Sequence, residues 1–215
     1  MKKYKLTNQD MRTHNGFQWE LGKEVNTDGD SEKLCNEHWL HYYHHPLLAV
    51  LLNPIHAHII NPRLFEVKAL GKHLDDKGIK GGCTKMTLVK EIELPEITLN
   101  QMIAFAILCA LEVYKESTYI LWANNWLNNV DRSAIAAYDA AYAAYAVDAA
   151  AAAYAAIYAV DAADAAYAVD AYAAVYAADA ADAAYAVDAY AAVYAADAAD
   201  DINLIKLAKK ALKYK

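Results

Sequence analysis

The sequence predicts an α+β protein: a small β-containing N-terminal domain, two connecting helices, and then an Ala/Tyr/Asp-rich all-α repeat region. Three observations carry that expectation. All seven glycines, all four prolines and all eight histidines fall within residues 1–96, among short stretches that alternate apolar and polar residues. Between Ala134 and Asp201 there is no Gly and no Pro, and alanine, the strongest helix former, dominates. Asp161 to Ala178 and Asp179 to Ala196 are letter-for-letter identical, a period of 18 residues that equals about five helical turns.

These shifts in composition divide the chain into a β-rich head over 1–97, connecting helices over 98–133, the repeat over 134–201 and a basic C-terminal helix over 202–215. Within the head, Leu64 to Leu70 alternates so that Phe65, Val67 and Ala69 share one side of a strand while Glu66 and Lys68 share the other. Met86 to Leu94 alternates in the same way, with a break near Val89. Asp75-Asp76-Lys77-Gly78 supplies turn residues between the two, which predicts an antiparallel pair. Phe17 to Leu21 is a third candidate strand.

Helix should begin at Thr98, where Thr-Leu-Asn-Gln fits a capping box: the Thr oxygen takes an orphan amide and Gln101 reaches back. The helix runs to about Tyr114 and is apolar nearly all round, as expected of a buried helix. Tyr119 to Leu127 predicts a second helix packed through Ile120, Trp122 and Trp126. Asn128-Asn129 then marks a turn, and Asp131 or Ser133 can cap the alanine region.

Each 18-residue copy is two nine-residue units of the form D-A-x-x-A-x-Y-A-x. On a helix, Tyr172, Tyr176, Val169 and Val175 make one broad stripe, and most of the opposite arc is alanine, which permits very close helix packing. The most regular element is Tyr followed three residues later by Asp: Tyr145/Asp148, and then a set of twelve residues made of Tyr158/Asp161, Tyr167/Asp170, Tyr176/Asp179, Tyr185/Asp188 and Tyr194/Asp197 with Tyr172 and Tyr190 between them. Such pairs are neighbours on a helix surface. These twelve residues are the expected interaction surface, since buried phenols and carboxylates both demand hydrogen-bond partners. One continuous helix, a bundle and a multimer are all open.

Composition excludes several classes. The repeat holds eleven Asp and no Lys, Arg, Glu or His, whereas the tail carries Lys206, Lys209, Lys210, Lys213 and Lys215. Copies could therefore attract one another head to tail. Imitation of DNA is disfavoured, because eleven carboxylates along a helix on the order of 100 Å give roughly one per 9 Å, against roughly one per 1.7 Å in duplex DNA. Direct nucleic-acid binding is disfavoured too, since the repeat repels phosphate. MKKYKLTNQDMR lacks the apolar run of a secretory leader, and the longest apolar run, Met102 to Leu111, is too short for a membrane span. A cytoplasmic protein with free thiols at Cys35, Cys83 and Cys109 is expected, with Cys109 in the core.

Cys35, His38, His41, His44, His45, His56 and His58 place seven potential ligands within 24 residues. No cofactor is required by any motif, and zinc is the metal that such a set would suit. Cys35, His38, His41, His56 and His58 are its candidate ligands, with His56 and His58 sharing one side of a strand. Phosphate-loop, nucleophile-elbow, zinc-protease and dinucleotide motifs do not occur. Glu91-Ile-Glu93 puts two carboxylates on one strand face, an arrangement used by some ADP-ribosyl-transferring enzymes.

Gly16 to Lys23, Leu34-Cys35 with Trp39-Leu40-His41, Pro46 to Ala57 and Pro62 to Val67 resemble an uncharacterised domain of bacteriophage and bacterial proteins. Phe105 to Tyr114, Trp122 to Leu127 and Asp131-Arg132-Ser133 look like the stretch that leads, in such proteins, into alanine-rich repeats of varying length. Some of those relatives are labelled putative immunity proteins. His38 stands where similar sequences often have Gly, and the repeat uses Tyr and Asp where others favour Trp, Arg, Ser or Glu. The resulting expectation is a non-enzymatic phage or bacterial accessory protein that self-associates or binds a host protein through its repeat. The alternatives are a metal-dependent or ADP-ribosyl-type enzyme in the head, or a protein that sequesters a small molecule.

Overall fold

The structure is a computed structural model that describes residues 2–133, 136, 192–193, 195–196 and 202–215. The chain divides into two compact units, Met1–Glu96 and Ile97–Lys215. Together the described residues form an α+β mixture, with an antiparallel sheet in the first unit and helices mainly in the second.

The first unit is organised by one long hairpin, β4 (Arg63–Asp76) with β5 (Lys80–Ile92). β1 (Lys3–Thr7) pairs with the first part of β4, while β2 (Glu24–Asn26) and β3 (Leu40–Tyr42) pair with successive stretches of β5. Tyr4 and Tyr43 exchange backbone hydrogen bonds of 2.9 and 2.7 Å. The free edge of β1 is thereby joined to the residue after β3, and the path β1–β4–β5–β3 returns on itself. Edge amides that would otherwise face solvent are covered at that point.

The predicted pair and its turn are both present, although the strands run further than their alternation. Gly78 N donates to Asp75 Oδ1 at 2.8 Å, and Lys77 and Gly78 take φ of 46° and 77°. The expected break at Val89 is a bulge: Glu66 faces Lys90 and Val67 faces Leu88, which leaves Val89 over. A second irregularity surrounds Gly71, whose φ of 83° suits glycine, where Lys72 N donates to Thr84 Oγ1 at 3.0 Å. Trp19, Leu40, Tyr42, Phe65, Val67, Cys83, Met86 and Leu88 form the core on one face.

Phe17 to Leu21 is not a strand. It makes only isolated bridges, Arg12 with Gln18 and Leu21 with Leu88, because positive-φ Gly16 and Gly22 turn the chain at either end while Trp19 alone plunges into the core. The strand expected to carry His56 and His58 is replaced by two short helices, α1 (Pro46–Leu51) and α2 (Asn53–His56). Pro46 and Pro54 each sit in a first helical turn, where a missing amide costs nothing. His45 caps α1 through Nδ1, which accepts from Leu47 N at 3.2 Å.

In the second unit α3 (Leu99–Val113) has both halves of the capping box: Gln101 N donates to Thr98 Oγ1 at 3.3 Å and Thr98 N to Gln101 Oε1 at 3.0 Å. Ile103 to Ala110 are all buried, as the all-round apolar pattern requires. α4 (Ser117–Leu127) starts two residues before its predicted first residue, because the Glu116 carboxylate accepts from Thr118 N and Tyr119 N. α5 (Leu204–Ala211) packs against α3 through Leu204, Leu207, Ala208 and Ala211. Gln101 Nε2 donates to Leu212 O at 3.0 Å, and Arg132 Nη1 donates to Lys215 O at 2.9 Å. The segments before and after the repeat are thus anchored on one helical unit. No helix among the described residues is long and apolar enough to cross a membrane.

Candidate functional site

The histidine-rich stretch is dispersed by the elements that carry it. Cys35 is exposed, and its Sγ receives Lys80 Nζ at 3.0 Å. His38 Nδ1 lies 2.7 Å from Asp28 Oδ1, which raises the imidazole pKa, while the Asp30 amide and then this contact lower that of the Asp28 carboxyl. His41 Nε2 sits 2.6 Å from the Leu34 carbonyl, so it carries the proton and donates, and burial pulls its pKa down. His56 stacks on Tyr43 with ring centroids 5.8 Å apart, and burial depresses its pKa to about 3. His58 turns away in a left-handed conformation, φ 45°. Among the described residues no group of three or more His, Cys, Asp or Glu side chains is arrayed to hold a metal.

Two lysines that no motif marks, the buried Lys5 and the half-buried Lys3, lie on the core face of β1. Lys5 pairs across β1/β4 with Phe65, so the two side chains share a face. Its ammonium donates to His41 O at 2.9 Å and lies 4.8 Å from the Trp19 ring centroid, and burial lowers its pKa to about 8. Lys3, two residues earlier on the same face, stands over Tyr42 and 2.6 Å from His44 Nδ1. An ammonium can only donate, so that nitrogen accepts and the His44 proton lies on Nε2. Asp75 Oδ2 lies 2.6 Å from that Nε2, and burial and then Lys3 lower the His44 pKa against the opposing pull of Asp75, which favours the neutral ring. The signal in the sequence was the Lys-x-Lys spacing of Lys3 and Lys5, which alternation places on one side.

A cavity of about 370 Å³ opens between the turn after β1 and the loop after α2. Asn8, Arg12, Thr13 and His14 form one wall, and Ala57, His58, Ile59 and Ile60 form the other. Both walls are tied down. Asn53 holds the second through its side chain, with Oδ1 accepting from Ile59 N at 3.1 Å and Nδ2 donating to Ile59 O at 3.0 Å. Gln9 Nε2 donates across to Asn61 O at 2.6 Å, and Arg63 Nη1 to Gln9 O at 3.1 Å. His58 in these walls, and Met11, Asn15 and Asn61 beside them, have positive φ, a backbone conformation uncommon outside glycine and concentrated at binding sites.

The paired carboxylates of Glu91-Ile-Glu93 are not left together for chemistry. Arg63 grips Glu91 with two hydrogen bonds, 2.9 Å to Oε1 and 2.6 Å to Oε2, and holds its pKa down, while Glu93 lies past the end of β5. Tyr158, Asp161, Tyr167, Asp170, Tyr172, Tyr176, Asp179, Tyr185, Asp188, Tyr190, Tyr194 and Asp197 lie outside the described residues.

No curated protein and no solved structure matches the chain. Residues 1–100, the sheet unit and the start of α3, match a family model described as a domain of unknown function (DUF7666), in keeping with an uncharacterised domain family.

Proposed function

We propose that the protein is a non-enzymatic phage or bacterial interaction protein that works through its Ala/Tyr/Asp repeat, with a second copy of itself as partner and a host protein as the alternative. One observation carries the reading. Ala192, Ala195 and Ala196, in the second 18-residue copy, are helical and 0%, 0% and 1% exposed. Their i, i+3, i+4 spacing makes one face that this chain itself covers, so the reading assigns close packing within the chain to the alanines and contact with a partner to the Tyr and Asp side chains. The same alanines recur at 174, 177 and 178 in the first copy. Anchorage of both flanking segments on one helical unit supports a role in presenting the repeat.

Size-exclusion chromatography with light scattering on the full chain tests this. A mass above that of one chain, rising with concentration and falling when Tyr167, Tyr176, Tyr185 and Tyr194 are changed together to Ser, is the expected result. A strict monomer at every concentration overturns self-association. The host-protein alternative then requires a partner captured from host lysate by the wild type and lost with the four-fold Tyr variant.

A further inference from the structure

We propose that the cavity between the turn after β1 and the loop after α2 binds a small phosphate-bearing ligand. The inference comes from the direction of its polar atoms. Asn8 Oδ1 is occupied by Arg12 N at 2.7 Å, and Thr13 Oγ1 by Trp19 Nε1 at 2.9 Å. Several backbone acceptors are occupied too: Asn8 O receives Met11 N, Thr13 O receives Gly16 N, and Ile59 O receives the Asn53 amide. What stays open is a set of donors: the Asn8 Nδ2 amide, the Thr13 hydroxyl proton and the terminal nitrogens of Arg12, whose Nε alone is tied to Gln18 at 3.0 Å. His14 and His58 add ring nitrogens with no hydrogen-bond partner among the described residues.

No carboxylate lines the cavity, and Arg12 forms no ion pair among the described residues. An arginine and a surplus of side-chain donors with no carboxylate beside them favour an oxyanion, and a guanidinium fork suits phosphate oxygens in particular. The volume lies near the lower end of the roughly 300–1,000 Å³ range of small-molecule sites. Ala57, Ile59 and the exposed Ile60 supply an apolar wall that a bare anion leaves uncovered. A phosphomonoester with an organic group, the size of a nucleoside monophosphate, therefore fits better than inorganic phosphate. Hydrogen bonds that tie both walls favour binding, because they leave less loop entropy to be lost.

The test is calorimetric titration of the full chain at about 0.15 M salt, where distant surface charge is screened. The probes are inorganic phosphate, adenosine monophosphate and adenosine. Both phosphates should bind saturably, the monophosphate more tightly, and adenosine should not. Arg12→Gln should weaken binding about tenfold or more. His58→Asn, which retains a residue tolerant of positive φ, should weaken it as well. Lys68→Gln, a charge loss at an exposed position on β4, should leave binding unchanged. Absence of saturable binding up to about 10 mM overturns the proposal. So does equal affinity in wild type, Arg12→Gln and His58→Asn, or an equal loss in Lys68→Gln. Circular dichroism of each variant confirms that lost binding is not lost folding.

Discussion

Lys5 carries a positive charge into the sheet interior, where a carbonyl and an indole ring meet it. It is 8% exposed, and its pKa falls from 10.5 to about 8. The unfolded chain binds the extra proton more readily between those values, so stability rises with pH across that window and the charged form is penalised at neutral pH. A shift of that size corresponds to on the order of 3 kcal/mol. Lys5→Met should raise the urea midpoint, with a net gain of about 1–3 kcal/mol because His41 O loses its donor. A lower midpoint would mean that the carbonyl bond and the Trp19 contact outweigh desolvation. His56 works in the acid range, where burial holds its pKa near 3 against the ordinary 6.5. Its stabilising contribution is complete above the unfolded value and declines as pH falls toward the folded one. Acidification from about pH 7 to about pH 5 should cost on the order of 2 kcal/mol through this group, and His41 and His44 shift in the same direction. His38, raised by Asp28, acts oppositely but at the exposed surface. His56→Phe keeps the ring stack on Tyr43 without the titration, so its denaturation midpoint should fall less steeply between those two pH values.

The elements differ in how far local residues specify them. α3 is specified almost wholly by its own sequence, cap and buried stripe alike, and Thr98→Ala should lower stability by about 1 kcal/mol through the lost cap, read as a shift in thermal midpoint. β5 depends on what lies across from it. An added Cβ at Gly81 would stand 2.5 Å from the Tyr42 ring, and Gly82 lies beneath Leu34 and Trp39. Gly81→Ala should therefore destabilise the sheet unit by about 1–3 kcal/mol, visible in urea unfolding followed by tryptophan fluorescence. Nothing in the local pattern around Lys80-Gly81-Gly82 reads as strand, since β-propensity is poor and alternation absent. β3 and Tyr42 supply the missing reason. The same holds for residues 53–58, where two candidate ligands at alternating positions suggested a strand. Pro54 and the Asn53 side-chain clamp instead make a helical turn followed by a left-handed residue.

At the scale of the whole chain, an acidic repeat and a basic end belong to one polypeptide. If copies associate through these opposite charges, raising salt from about 0.05 M to about 0.5 M should shift the light-scattering mass toward one chain. Association through the Tyr side chains alone should be unaffected or strengthened. The sequence by itself determined the α+β class, the central hairpin with its turn and its break at Val89, the capping box and buried course of α3, and the core position of Cys109. These depend on periodicity and on contacts between near neighbours, which a linear pattern records. Tertiary structure alone decided that the clustered histidines separate, that Lys3 and Lys5 lie on the core face of β1, and that Arg12, His14 and His58 line one donor-rich cavity. Those arrangements depend on which strands and loops meet, and residues more than forty positions apart in the chain leave no local period to read.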